Sequence, residues 1–229
     1  MSLLASPETL PGWLHPLART VADVDERSWT TGMVARFRPP PHGGRPAAVL
    51  VLLGEMPDPP GEPDVVLIER ARGLRAHAGQ VAFPGGAVDP GDDGPVSTAL
   101  REAAEETAVD PAGVVPFATL PALYLPASGF LTTPVLGWWA RRGHVRAGDP
   151  GEVASAHQVP LAELADPANR FLVRHPLGDV GPGFHAGGMF VWGFTAALLD
   201  RLLAAGGWER DWDHDRRVDL PEHLLGRRS

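Results

Sequence analysis

Arg101, Glu102, Glu105 and Glu106 carry the strongest chemical signal in the sequence. At about 100° per residue, a helix through them gathers the three glutamates into an arc of about 100°. Val96, Leu100, Ala103 and Thr107 fall on the opposite side. One face can therefore pack while the other presents three carboxylates together. Clustered carboxylates repel one another, and hard divalent cations such as Mg²⁺ or Mn²⁺ relieve that repulsion because they prefer oxygen ligands. A solvated acidic helix face, with Arg101 as a local salt-bridge partner, is the other reading, and such surface helices are common. The preceding Gly85-Gly86 pair shifts the balance toward a cation, since glycine lets backbone approach a bound group closely.

Composition removes several alternatives. The 229-residue chain has no cysteine, so disulfides, thiolate metal sites and cysteine nucleophiles are excluded. All 20 basic residues are arginine, which excludes Schiff-base chemistry and the lysine of a P-loop. A net charge of −8 argues against general nucleic-acid binding, which needs a basic surface. No apolar run approaches the roughly 18 residues of a membrane span, and no signal peptide is visible, so a cytoplasmic location without membrane attachment is expected. Residues 89–94 are not a calcium loop, because Gly91 and Leu100 stand where ligands are required. His214 between Asp213 and Asp215 reads as part of a polar tail.

The elements that must position the glutamates follow from punctuation and periodicity. Trp13, Leu14, Leu17, Ala18 and Val21 recur at helical spacing. Residues 38–45 and 57–63 are rich in proline and read as loops, flanking a buried strand at 47–53. Further strands are expected at 65–68, 81–83, 114–120, 135–140 and 189–192. Residues 85–94 read as a loop into a helix that starts at Pro95, where proline is favoured, and runs to about Ala108. A short helix is expected at 160–164 and a longer one at 194–205. The tail after Gly206 is polar and reads as a loose extension. Three segments result: an N-terminal helical extension at 1–29, a core domain at 30–206, and a polar tail at 207–229. The pattern is α+β, a mixed sheet covered by helices.

The span from Gly86 through Asp92 to Arg101-Glu102-Ala103-Ala104-Glu105-Glu106-Thr107-Ala108-Val109 resembles the Nudix box. That box reads Gly, five residues, Glu, seven residues, then Arg-Glu-apolar-any-Glu-Glu-any-Gly-apolar. Asp92 stands in place of Glu, the following spacer is one residue longer, and Ala108 replaces the last Gly. Choosing Asp93 restores the spacer but lengthens the first gap. Ala108 is expected to be mild because a helix tolerates alanine. Residues 67–86, carrying Arg70, Arg75, His77, Gly79, Gln80 and Phe83-Pro84-Gly85-Gly86, are similar to the segment that marks the coenzyme A pyrophosphatase branch of Nudix hydrolases. Pieces at 128–134, 151–153, 159–161 and 192–196 continue the resemblance, which covers about residues 30–205.

The resemblance implies the Nudix fold, a mixed β-sheet sandwiched between α-helices. It implies metal-dependent hydrolysis, with Mg²⁺ or Mn²⁺, of the pyrophosphate of coenzyme A or its acyl derivatives. The products would be 4′-phosphopantetheine and adenosine 3′,5′-bisphosphate. Glu102 and Glu106, at i and i+4, are then the metal ligands, and Glu105 is either a third ligand or the base. Glu152, from a loop after the box, is the rival base. Arg101 orients a glutamate. Arg70, Arg75, His77 and Gln80 are the candidates for substrate contact. Each also has an ordinary reading: Arg70 as strand-end surface charge, His77 as a hydrogen-bonded loop residue, Gln80 as a cap on loop backbone, Glu152 as an exposed loop residue. Tyr124 and Phe130 read as core rather than as stacking surfaces. Two alternatives remain open, a Nudix enzyme for another nucleoside diphosphate derivative and a non-catalytic Nudix-fold binding module. A homodimer is compatible with the family.

Overall fold

The computed structural model describes residues 1–229 apart from 59, 75, 76, 177, 179 and 226–229. The strands are β1 (Ser2–Leu3), β2 (Arg45–Pro57), β3 (Pro60–Arg70), β4 (Val81–Ala82), β5 (Gly85–Ala87), β6 (Val114–Thr119), β7 (Leu123–Leu125), β8 (Phe130–Trp139), β9 (Val153–Pro160), β10 (Arg170–Arg174), β11 (Val180–Ala186), β12 (Met189–Val191) and β13 (Arg217–Asp219). The helices are α1 (His15–Asp23), α2 (Glu26–Trp29), α3 (Pro95–Thr107), α4 (Leu161–Ala165) and α5 (Gly193–Gly206).

β2 organises the main sheet, whose path runs β1-β6-β8-β2-β3-β4, with β5, β7 and β9 paired to β2, β8 and β3. It lies parallel to β8 from Arg45 opposite Phe130 to Leu53 opposite Trp138, and antiparallel to β3 and β5. The sheet is thus mixed. Successive side chains on β2 point to opposite faces. Ala48, Leu50 and Leu52 pack with Val66 against Ala99 and Ala103 of α3. Val51 and Leu53, with Val65 and Leu67, join Leu14, Leu17 and Val21 near α1 and Leu198 and Leu202 of α5. Burial on both faces explains why 47–53 reads as one continuous apolar run. The result is the α+β sandwich expected of the Nudix fold.

A second sheet, in the order β12-β11-β10-β13, stands beside this sandwich. The tail after Gly206 is not loose over its described residues, 207–225. β13 pairs in parallel with β10, Val173 opposite Val218, and Trp212, Leu220 and Leu224 are buried. Three widely spaced apolar anchors dock a segment whose average composition is polar. The first residues are also engaged, β1 pairing with β6 and α1 packing against α5.

Three other boundaries move. Residues 57–63 are not an open loop, because β2 and β3 extend toward each other and pair as far as Pro57 and Pro60. Prolines cost little where the ladder is ending anyway. Gly85–Ala87 is a strand within the expected 85–94 loop, pairing with Ala47–Val49. The acidic helix stops at Thr107, and Ala108 caps it in the left-handed region at φ 56°. Ala108 is therefore not a tolerated helical residue. It occupies the position where a glycine avoids the Cβ penalty. Ala108→Gly is expected to stabilise the protein by about 0.5–1 kcal/mol after the extra freedom of the unfolded chain is deducted, raising Tm by a few degrees in thermal denaturation.

Candidate active site

The glutamates of α3 are sorted by what each one touches. Glu106 is 5% exposed. Its Oε2 accepts a 2.8 Å hydrogen bond from the Gly85 amide, and Arg70 Nη1 lies 3.8 Å from its Oε1. Burial pushes its carboxyl up to about 7, against the pull of the Gly85 bond and of Arg70. Glu102 is partly buried against Gly86, and a side chain at Gly86 would overlap its carboxylate. Burial raises its pKa as well, although Arg101 opposes the shift. Glu105 is exposed and held by Arg101 at 3.3 Å. The Gly85-Gly86 pair is thus explained locally, by one amide on Glu106 and space for Glu102.

Arg101 is the organiser of the loop and helix. Its guanidinium donates to Asp92 at 3.1 and 3.0 Å, to the Ala87 carbonyl at 3.1 Å and to Glu102 at 3.0 Å. Asp92 also accepts from the Asp89 amide and the Thr98 hydroxyl, each at 2.9 Å. Arg101 holds the Asp92 carboxyl far below the usual carboxylate range. Asp93 is exposed. The choice between the two aspartates therefore falls on Asp92. Gly94, at φ 138°, precedes Pro95 at the start of α3.

Glu152 reaches the neighbourhood by a route with no local sequence signal. The chain after β8 crosses the C-terminal end of α3, where Arg146 and Gly148 amides donate to the Thr107 and Glu106 carbonyls at 2.9 Å. Those are carbonyls that a helix end leaves without intrahelical partners. A side chain at Gly148 would overlap the Glu105 carbonyl. The Ala71 amide then donates to the Glu152 carbonyl at 2.9 Å, and β9 pairs with β3, Arg70 opposite Val153. Glu152 is exposed, and its charge contributes to the raised pKa of Glu106.

Arg70 ends β3 and turns toward Glu106, with its Nε buried and without a hydrogen-bond partner among the described residues. His77 adopts φ 57°, its Nδ1 2.8 Å from Gln80 Oε1 and its Nε2 buried without a described partner. The Arg70 amide donates to the Gln80 carbonyl at 2.9 Å, closing the base of the loop. Arg75 lies outside the described residues. Phe130 is not core: it is half-buried with the Arg45 guanidinium 4.4 Å above its ring, and Tyr124 is half-buried too. Among the described residues no three acidic or histidine side chains form a ready-made cation cage.

Residues 44–177 match the NUDIX domain family. The chain is 41% identical over 165 residues to "Uncharacterized Nudix hydrolase NudL" of Cronobacter sakazakii, spanning 69% of this chain and 81% of that protein. It is 40% identical over 171 residues to the protein of the same description from Pectobacterium atrosepticum, spanning 71% and 83%. In fold it is similar to a Nudix hydrolase from M. smegmatis, RenU, at a TM-score of 0.51 and 20% identity over 77% of this chain and 97% of that one. The chain belongs to the Nudix hydrolase family. No described helix is long and apolar enough to cross a membrane.

Proposed function

We propose that the protein hydrolyses the pyrophosphate bond of coenzyme A, or of its acyl derivatives, to 4′-phosphopantetheine and adenosine 3′,5′-bisphosphate. The observation that carries the reading is the contact between the two motifs. Arg70, from the segment that resembles the coenzyme A pyrophosphatase branch, lies beside Glu106 of the box. A pyrophosphate held at Glu102 and Glu106 would meet that segment directly. Arg70 Nε is a donor with no described partner, suited to phosphate oxygens.

Glu102 and Glu106 fit a divalent cation. Both offer hard oxygen donors, and burial raises the pKa of each, a cost to the charged form that a cation would offset. Mg²⁺ or Mn²⁺ would supply charge neutralisation and acidify a water. Glu105 would join only by leaving Arg101. Glu152, which has no ion pair among the described residues, is the better candidate to accept the proton of the attacking water. Arg101 positions Glu102 rather than substrate. Water adds to one phosphorus as the bridging P–O bond breaks, and the leaving phosphate takes the bond electrons.

Incubation with coenzyme A and Mg²⁺ or Mn²⁺, with the products separated, tests the reading. The two named fragments are expected. Intact coenzyme A, with hydrolysis of another nucleoside diphosphate derivative in the same panel, would move the substrate elsewhere within the family. No hydrolysis of any member would favour a binding module.

A further inference from the structure

The segment between β8 and β9 delivers Glu152, and its backbone is pinned on both sides of that residue. Before it, the Gly148 amide donates to the Glu106 carbonyl at 2.9 Å. After it, Val153 is 1% exposed and pairs with Arg70. Between them lies the turn Asp149-Pro150-Gly151-Glu152. The Asp149 carboxylate accepts from the Gly151 amide at 2.8 Å. The Asp149 carbonyl accepts from the Glu152 and Val153 amides, each at 2.9 Å. Proline presets φ at the second position of such a turn, and an aspartate at the first closes it with its own side chain. The chain builds the same turn at 110–113 and 166–169. Asp110 Oδ1 accepts from the Ala112 amide and Asp166 Oδ1 from the Ala168 amide, each at 2.9 Å. The fourth amide of each turn again donates to the aspartate carbonyl. There the fourth residues are Gly113 and Asn169, whereas in the turn at Asp149 it is the glutamate.

We propose that Asp149 is a positioning residue for Glu152, its carboxylate holding the turn that aims the Glu152 side chain at the attacking water. Glu152 is exposed and has no ion pair among the described residues, so its carboxylate takes its direction from the backbone that carries it. Pairing at Val153 and the Ala71 amide on the Glu152 carbonyl fix the far side of that backbone, and Asp149 fixes the near side. A proton acceptor must come within about 2.6–3.2 Å of the water it activates, and a misplacement of about 1 Å can cost on the order of 10²-fold in rate. The inference rests on the proposed role of Glu152 as proton acceptor. No described bond of Asp149 reaches Glu102, Glu106 or Arg70, which directs its effect to Glu152.

The test compares Asp149→Ala, Asp149→Asn, Glu152→Gln and the double variant of Asp149→Ala with Glu152→Gln. Asp166→Ala is the control, since it breaks the same kind of turn elsewhere. Asp149→Ala is expected to lower kcat for coenzyme A about tenfold with KM within about twofold, because the phosphate contacts stay in place while the proton acceptor drifts. Asp149→Asn keeps an acceptor for the Gly151 amide and should restore kcat. Glu152→Gln should lower kcat by on the order of 10²-fold or more. In that background Asp149→Ala should lower it no further, because the two residues act through one group. Asp166→Ala should lower Tm without changing kcat. Unchanged kcat in Asp149→Ala, an equal loss in Asp149→Asn or Asp166→Ala, a further fall in the double variant, or full activity in Glu152→Gln would each overturn the proposal. The wild-type protein separates this failure from that of the substrate reading. If it leaves coenzyme A intact but cleaves another nucleoside diphosphate derivative, the substrate reading fails alone and the same variants are compared on that derivative. If it hydrolyses none, both fail.

Discussion

Glu106→Gln is expected to lower kcat/KM by on the order of 10³-fold or more, equivalent to about 4 kcal/mol of lost transition-state stabilisation. The amide keeps the shape of the side chain, and its oxygen can still accept from the Gly85 amide. What it loses is the charge. Its NH₂ would also face Arg70, so one donor would meet another where a carboxylate now lies 3.8 Å from the guanidinium. The same variant makes a prediction about stability without metal. The Glu106 carboxyl is raised to about 7 in the folded protein by burial, from an ordinary value of 4.5. A raised acid contributes stability below about pH 4.5 that is lost as pH climbs toward 7. The shift corresponds to about 3 kcal/mol. Metal-free wild type should therefore weaken across that window, while Glu106→Gln should not share that loss. Added Mg²⁺ or Mn²⁺ should raise the wild-type Tm more at pH 8 than at pH 5, and raise that of the variant little at either. Thermal denaturation with chelator and with metal measures both. A variant that retains full hydrolysis would remove Glu106 from the site.

What the sequence made legible was local. The period of α3 and its proline start were readable because an amphipathic helix writes its packing every three or four residues. β2 was readable because a strand buried on both faces writes an unbroken apolar run. The identity of the box acid was not readable, since Asp92 and Asp93 are adjacent and equivalent in type. The reach of Arg101 around the turn decides it, with two of its guanidinium bonds going to Asp92. Glu152 came into view only by resemblance. Its place beside Arg70 depends on β9 pairing with β3, a contact between segments some eighty residues apart. Ala108 was misjudged because backbone handedness leaves no mark in residue type when the residue is not glycine. The tail was misjudged because its anchors, Trp212, Leu220 and Leu224, are too sparse to register as a periodic pattern. Arg170–Arg174 escaped for a related reason: it begins and ends with charge, although its first arginine is inside.

That arginine carries a large expected stability effect. Arg170 is 1% exposed, pairs with Asp200 of α5 and reaches Glu209 at 3.0 Å. Its guanidinium lies 4.6 Å from the Trp212 ring centroid and 5.5 Å from that of Phe184. One side chain thus joins β10, α5 and the start of the tail. Arg170→Ala leaves a cavity and an Asp200 carboxylate, already raised in pKa by burial, without its main partner. Breaking a buried pair from one side costs about 3–5 kcal/mol, because the remaining charge keeps its desolvation penalty. Urea denaturation should show a loss of that size. The sign with pH is diagnostic. Without Arg170, Asp200 would be raised further, so its penalty vanishes once it is protonated in both states and grows as pH rises. The deficit of Arg170→Ala should be smaller near pH 4 than at pH 8. Adding Asp200→Leu to Arg170→Met should recover much of the loss, since apolar replacement of both partners removes the stranded charge. A deficit independent of pH would mean that packing around Trp212, rather than the ion pair, is what Arg170 secures.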